Sequence, residues 1–165
     1  MIKNNIQLES YLKFLNTWKN RDLINVLSGV SRSGQSTLLV MFQQDLKEQG
    51  VQDENIIAIN FEYMEFEELT DYRKLHDYVL SKVDKNKKNY VFLDEIQHVQ
   101  NFEKVVDSLY IRDYIDLYIT GSNAFFLSGE LATLLTGRYI EQHVLPLSFQ
   151  EFKQWHTENN PTIQQ

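Results

Sequence analysis

Cysteine is absent from this 165-residue chain, which excludes disulfides and thiolate metal sites and suits a cytoplasmic setting. No apolar run approaches the length of a membrane-spanning helix, and no charged-then-apolar stretch resembles a signal peptide, so no membrane partner is expected. Positive charge is scarce too. The 16 Lys and Arg residues stand against 23 Asp and Glu, for a formal net charge of −7. Nucleic-acid phosphates need clustered Lys and Arg, so this balance argues against nucleic-acid binding by this segment alone. Only Lys82–Lys88 gathers basic residues, and it reads as a solvated loop. The histidines (His76, His98, His143, His156) share no metal-ligand spacing and are assigned no site; His98 reads as an exposed loop residue. Internal repeats and low-complexity linkers are missing as well. What is present, 42% hydrophobic and 13% aromatic residues, suffices for one core and leaves little room for a second.

The most informative stretch is Gly29-Val30-Ser31-Arg32-Ser33-Gly34-Gln35-Ser36. It fits the phosphate-binding pattern G-x-x-x-x-G-K-[ST] at Gly29, Gly34 and Ser36, with Gln35 where the lysine ammonium would meet the β- and γ-phosphates. Glycines permit the tight backbone, whose N–H groups face phosphate oxygens at a helix N-terminus, and the Ser36 hydroxyl would ligate Mg²⁺. Gln35 can donate a hydrogen bond but brings no charge. A glycine turn capped by Ser36 would look similar in isolation, and the flanks decide against it. Leu23–Leu27 is a short apolar run, as a buried parallel strand should be. Leu38, Leu39, Phe42 and Leu46 recur at helical spacing, with Gly50 as a stop. Gly29, Val30, Ser31, Arg32, Ser33, Gly34, Gln35, Ser36 and Thr37 therefore form the expected nucleotide-binding segment.

Tyr90–Glu95 is an apolar run ending in two carboxylates. In P-loop NTPases an acidic residue at the end of a buried strand holds the Mg²⁺ shell, which assigns Asp94 to the metal. Glu95 would polarise the attacking water as general base. Asp116–Thr120 reads as another strand, followed by Gly121-Ser122-Asn123. Arg138, in a Gly-Arg-Tyr turn, has two readings. It would reach a γ-phosphate, its own or a neighbouring subunit's, or it is a surface arginine paired with a carboxylate. Arg32 would either supply part of the missing charge or point to solvent.

This string of motifs resembles the N-terminal ATPase domain of a prokaryotic family of AAA-type ATP-binding proteins. The matching stretches are Leu27–Leu39, Tyr90–Gln97, Tyr118–Ala124, Leu127–Leu131, Leu135–Tyr139 and Leu145–Phe152. The family loop usually reads G-V-R-R-S-G-K-S, so Ser31 and Gln35 are departures. The resemblance implies ATP and Mg²⁺ as ligands and a sensor role for Asn123, with Ser122 the runner-up. It also implies a three-layer α/β/α P-loop NTPase fold, its parallel sheet in the order 5-1-4-3-2. Family members commonly continue into a C-terminal domain of uncharacterised function. The expected organisation here is an ATPase domain over residues 1–152 and a polar tail over 153–165. A natural truncation, a decayed gene product or an excised piece would all fit it. Leu145–Phe152 would otherwise pack against the following half.

The remaining elements follow periodicity. Leu8, Leu12, Leu15 and Trp18 mark an N-terminal helix, and Ile56–Asn60 a strand. Leu75, Tyr78 and Val79 lie on one helix and Phe102, Val106 and Leu109 on another. Leu131, Leu134 and Leu135 suggest a short helix and Tyr139–Leu145 a last strand. Three functions are carried forward. The first is ATP and ADP binding with weak or absent hydrolysis, alone or with a second copy or another protein as partner. The second is a nucleotide-free interaction module that keeps the fold, and the third an active ATPase using Arg32 as substitute cation.

Overall fold

Apolar runs too short for helices become the strands of a single parallel sheet, and the amphipathic stretches between them become its covering helices. The computed structural model describes residues 2–30, 34–122, 133, 135 and 137–146. In chain order the elements are α1 (Ile2–Trp18), β1 (Ile24–Gly29), α2 (Gln35–Glu48), β2 (Ile56–Asn60), α3 (Tyr72–Lys82), β3 (Asn89–Asp94), α4 (Phe102–Tyr110), β4 (Ile115–Ser122) and β5 (Tyr139–Val144). Short 3₁₀ turns occupy Asp53–Asn55, Met64–Thr70 and Ile96–His98.

The five strands lie in the order β2-β3-β4-β1-β5, and every pairing is parallel. Read from the other edge this is 5-1-4-3-2, the expected order. Alternation along each strand divides the core. Ile24, Val26, Val91, Leu93, Leu117 and Ile119 face Leu75 and Val79 of α3 and Val105, Val106 and Leu109 of α4. Leu27, Tyr90, Phe92 and Tyr118 face the other way, against Tyr11 and Leu15 of α1 and Leu38, Leu39, Phe42 and Leu46 of α2. At the centre of this second layer Phe92 stacks on Tyr118 with centroids 4.8 Å apart, and Phe42 meets Tyr118 at 5.2 Å. Because both faces are covered, the inner strands read as largely apolar runs, broken by the buried polar residues Asn25 in β1 and Asp116 in β4.

Boundaries differ from the sequence expectation where polar residues continue a ladder. β1 runs on through Ser28 and Gly29, and β4 through Gly121 and Ser122, because these residues pair with each other across the two strands. β3 stops at Asp94, and Glu95 leaves it in a left-handed conformation at φ 63°. The expected helix around Leu131–Leu135 lies largely outside the described residues, with Thr133 and Leu135 helical. The tail 153–165 also lies outside them.

Candidate nucleotide-binding site

The site is built where β1, β3 and β4 end side by side. β1 stops at Gly29, and Gly34 turns the chain into α2 at φ 101°, a backbone conformation that favours glycine. The Leu38 N–H donates to the Gly34 carbonyl at 2.9 Å, closing the first helical turn. Gly34, at the N-cap, has no side chain to cap this end of α2. The leading amides of a helix have no intrahelical acceptor, so those of Gln35, Ser36 and Thr37 form a positive terminus. Val30 is exposed. Ser31, Arg32 and Ser33 lie outside the described residues, as does Asn123.

Gln35 is buried, at 4% exposure, and its Nε2 donates to the Gly121 carbonyl of β4 at 3.2 Å. The side chain in the lysine position is thus turned inward and already has a partner.

Across β4, Thr120 binds both acidic residues of interest. Its hydroxyl donates to Asp94 Oδ1 at 2.5 Å and accepts the Glu95 N–H at 2.9 Å. Thr120 is fully buried and joins the tip of β4 to the end of β3. Burial pushes the Asp94 carboxyl above its ordinary value. The Thr120 and Ser36 hydroxyls oppose that shift, and the Glu62 charge adds to it. Burial likewise raises Glu95, whose carboxylate is held by Gln97 Nε2, and the Asp94 and Glu62 charges raise it further while His98 opposes them. Glu62, Glu95 and His98 each bring one potential ligand atom within 4.8 Å of the other two. Ser36 and Asp94 line one cavity of about 190 Å³, together with Gln43, Asn60, Tyr63 and Phe66. The donor set fits a hard divalent cation, because a hydroxyl and a carboxylate share one cavity beside two more acidic groups that repel each other.

Arg138 is not brought to this site. Its carbonyl accepts from the N–H of Ile24, at the start of β1, so the length of that strand separates it from Gly29. Its guanidinium pairs with Asp107 at 2.7 Å and lies over the Tyr110 ring, 5.1 Å from the centroid. The described geometry therefore matches the surface-pair reading and removes Arg138 from this chain's own loop. Ser122, the alternative sensor, pairs with Gly29 in the β1–β4 ladder.

Residues 21–153 match the AAA domain family. The chain belongs to that family. It is 44% identical to an uncharacterized protein of Haemophilus influenzae over 153 residues, covering 92% of this chain and 38% of that protein. It is 34% identical to an uncharacterized protein of Methanocaldococcus jannaschii over 165 residues, covering 92% of this chain and 34% of that one. The chain thus spans little more than a third of the curated relatives it matches. Its fold is similar to that of AMPPCP-bound DnaA from Aquifex aeolicus, with a TM-score of 0.56 and 14% identity over 96% of this chain and 52% of that one. The likeness to DnaA identifies the AAA-type P-loop NTPase fold of the domain, and the topology agrees with it. No helix among the described residues of this AAA domain is long and apolar enough to cross a membrane.

Sequence reasoning missed Thr120, Gly121 and Glu62. A polar residue closing an apolar strand was a usable signal for Thr120. Glu62 and Gly121 carried none, since only the folded sheet brings them beside β3 and α2.

Proposed function

We propose that this domain binds ATP and ADP through the strand-loop-helix at Gly29–Thr37 and that hydrolysis is weak or absent. The observation that carries the reading is the buried Gln35, bonded to the Gly121 carbonyl where a charged group would serve phosphate. The leading amides of α2 would take phosphate oxygens. Ser36 and Asp94 would hold Mg²⁺, and Glu95 would orient and deprotonate water. Bound Mg²⁺ would supply positive charge against the phosphates and relieve the repulsion among Asp94, Glu95 and Glu62. Thr120 keeps the Asp94 carboxylate turned toward the cavity it shares with Ser36. A neutral amide in place of the lysine leaves phosphate without one fixed cation, which costs roughly 1.5–3 kcal/mol, or about ten- to a hundred-fold in affinity. That DnaA carries AMPPCP, an ATP analogue, in a related fold supports the choice of ligand.

The inward set of Gln35 also suits the nucleotide-free interaction module, with a second copy or another protein as partner. Calorimetric titration with Mg-ATP and Mg-ADP separates the two. Weak binding that tightens in Gln35→Lys and is lost in Asp94→Asn supports the nucleotide site. No heat at millimolar nucleotide in either the native chain or Gln35→Lys would leave the interaction module. An Arg32→Ala loss of turnover would support the substitute-cation reading instead.

A further inference from the structure

A second cleft lies between the first two turns of α3 and of α4, and among the described residues it shares no lining residue with the cavity at Asp94. It measures about 370 Å³ and is walled by Tyr72, Arg73 and His76 on one side and by Lys104, Val105 and Ser108 on the other. That volume is in the range of small-molecule pockets. In a chain of net charge −7, two cations converge here on a single ring. The Arg73 guanidinium lies 5.6 Å and the Lys104 ammonium 5.3 Å from the Tyr72 centroid. Among the described residues neither is ion-paired.

The floor is polar and ordered. His76 Nε2 and Ser108 Oγ are 2.7 Å apart, and Arg112 Nη1 donates to the same hydroxyl at 3.0 Å. Among the described residues Asp77 is the one acidic wall residue, and its carboxylate is 87% exposed, 3.9 Å from His76 Nδ1. Asp71 is turned to the Arg73 and Lys74 backbone amides at 2.9 and 3.2 Å, so it caps α3 and leaves the ligand to the side chains.

We propose that this cleft binds a small phosphomonoester, its phosphate held by Arg73, Lys104 and the His76–Ser108 pair. Donors arriving from both walls suit a group with three terminal oxygens better than a carboxylate with two. The volume exceeds what phosphate alone fills, and the partly buried Tyr72 ring would face the sugar-sized remainder. Nothing in the assignment depends on nucleotide binding at α2.

The test is a ¹⁵N–¹H NMR titration of the chain with ribose 5-phosphate, against ribose and against potassium chloride at matched ionic strength. Saturable shifts of the Lys104, Val105 and Ser108 amides are expected with ribose 5-phosphate only. Arg73→Gln and Lys104→Gln, both changes at exposed side chains, should each weaken binding about ten-fold or more. Absent or non-saturating shifts, the same shifts with chloride, or unchanged affinity in both variants would overturn the proposal. So would shifts confined to the Gln35–Thr37 amides, which would place the phosphate at α2. A phosphoserine peptide that bound more tightly than ribose 5-phosphate would also overturn the small-molecule assignment.

Discussion

Replacing Gln35 by lysine should destabilise the ligand-free domain and enlarge the stabilisation that nucleotide gives it. The native amide is buried and bonded to the Gly121 carbonyl. A lysine there can keep that contact but must bury an ammonium in the absence of phosphate. Leaving a buried polar group poorly satisfied costs about 1–3 kcal/mol. For a chain of this size each kcal/mol moves Tm by about 2–4 °C, so the ligand-free variant should melt about 2–12 °C lower. Nucleotide offsets this loss. Stabilisation by a ligand is RT ln(1 + [L]/Kd), so at about 5 mM Mg-ATP a Kd of about 1 mM gives about 1.1 kcal/mol. A Kd tightened ten- to a hundred-fold, to about 10–100 µM, gives about 2.3–3.7 kcal/mol. The ligand-induced rise in Tm should therefore be about 2–10 °C larger in Gln35→Lys than in the native chain. Differential scanning fluorimetry with and without Mg-ATP measures both quantities. A folded Gln35→Lys whose Tm responds to Mg-ATP no more than the native chain does would refute the argument that Gln35 limits affinity.

Native ATP turnover should be near background, since loss of one preorganised donor costs on the order of 10²–10³ in rate. Gln35→Lys should raise it and an added Glu95→Gln should abolish the gain, both read by phosphate release. Native turnover comparable to ordinary ATPases would sink this prediction. Thr120→Val removes the partner of both Asp94 and the Glu95 N–H, and should cost about 1–3 kcal/mol by urea unfolding; an unchanged midpoint would contradict the bridging role. Asp116 is raised above the ordinary carboxylate value, chiefly by burial, against hydrogen bonds from Tyr118 and the Asn20 N–H. Its contribution to stability is complete below the unfolded carboxylate value and is lost as pH rises through the raised folded one, so the stability of Asp116→Asn relative to the native chain should rise as pH increases above about 4. A pH-independent difference in calorimetric Tm would refute this. Arg138→Ala breaks a half-exposed pair with Asp107, so it should cost at most about 1 kcal/mol and leave the ATP affinity of the chain within about two-fold, measured by titration. A larger loss of affinity would bring Arg138 back to the nucleotide.

Much of this molecule is legible from its sequence. β2 was readable residue for residue as Ile56–Asn60, and the inner strands were located because a sheet covered on both faces leaves mostly apolar residues along them. Gly34 announced the turn into α2, since few other residues adopt its backbone angles readily. The Asp94–Glu95 pair was visible because it ends such a strand abruptly. Its neighbours were not. Met64–Thr70 has no periodicity to betray a 3₁₀ turn. The fate of the Gln35 amide depended on the Gly121 carbonyl, Thr120 could bridge Asp94 and Glu95 only once β3 and β4 were paired, and Glu62 acquired its effect on both from the turn after β2. Arg138 stood in a motif-like turn, yet the register of β5 on β1 carries it to the opposite end of the sheet, against Asp107. Local pattern determined which segments are strands and helices and where the glycine turn into α2 falls, because burial and backbone preference act residue by residue. Tertiary structure alone decided which side chains meet, because hydrogen bonds and charge repulsion act over a few ångströms in space between residues far apart in the chain.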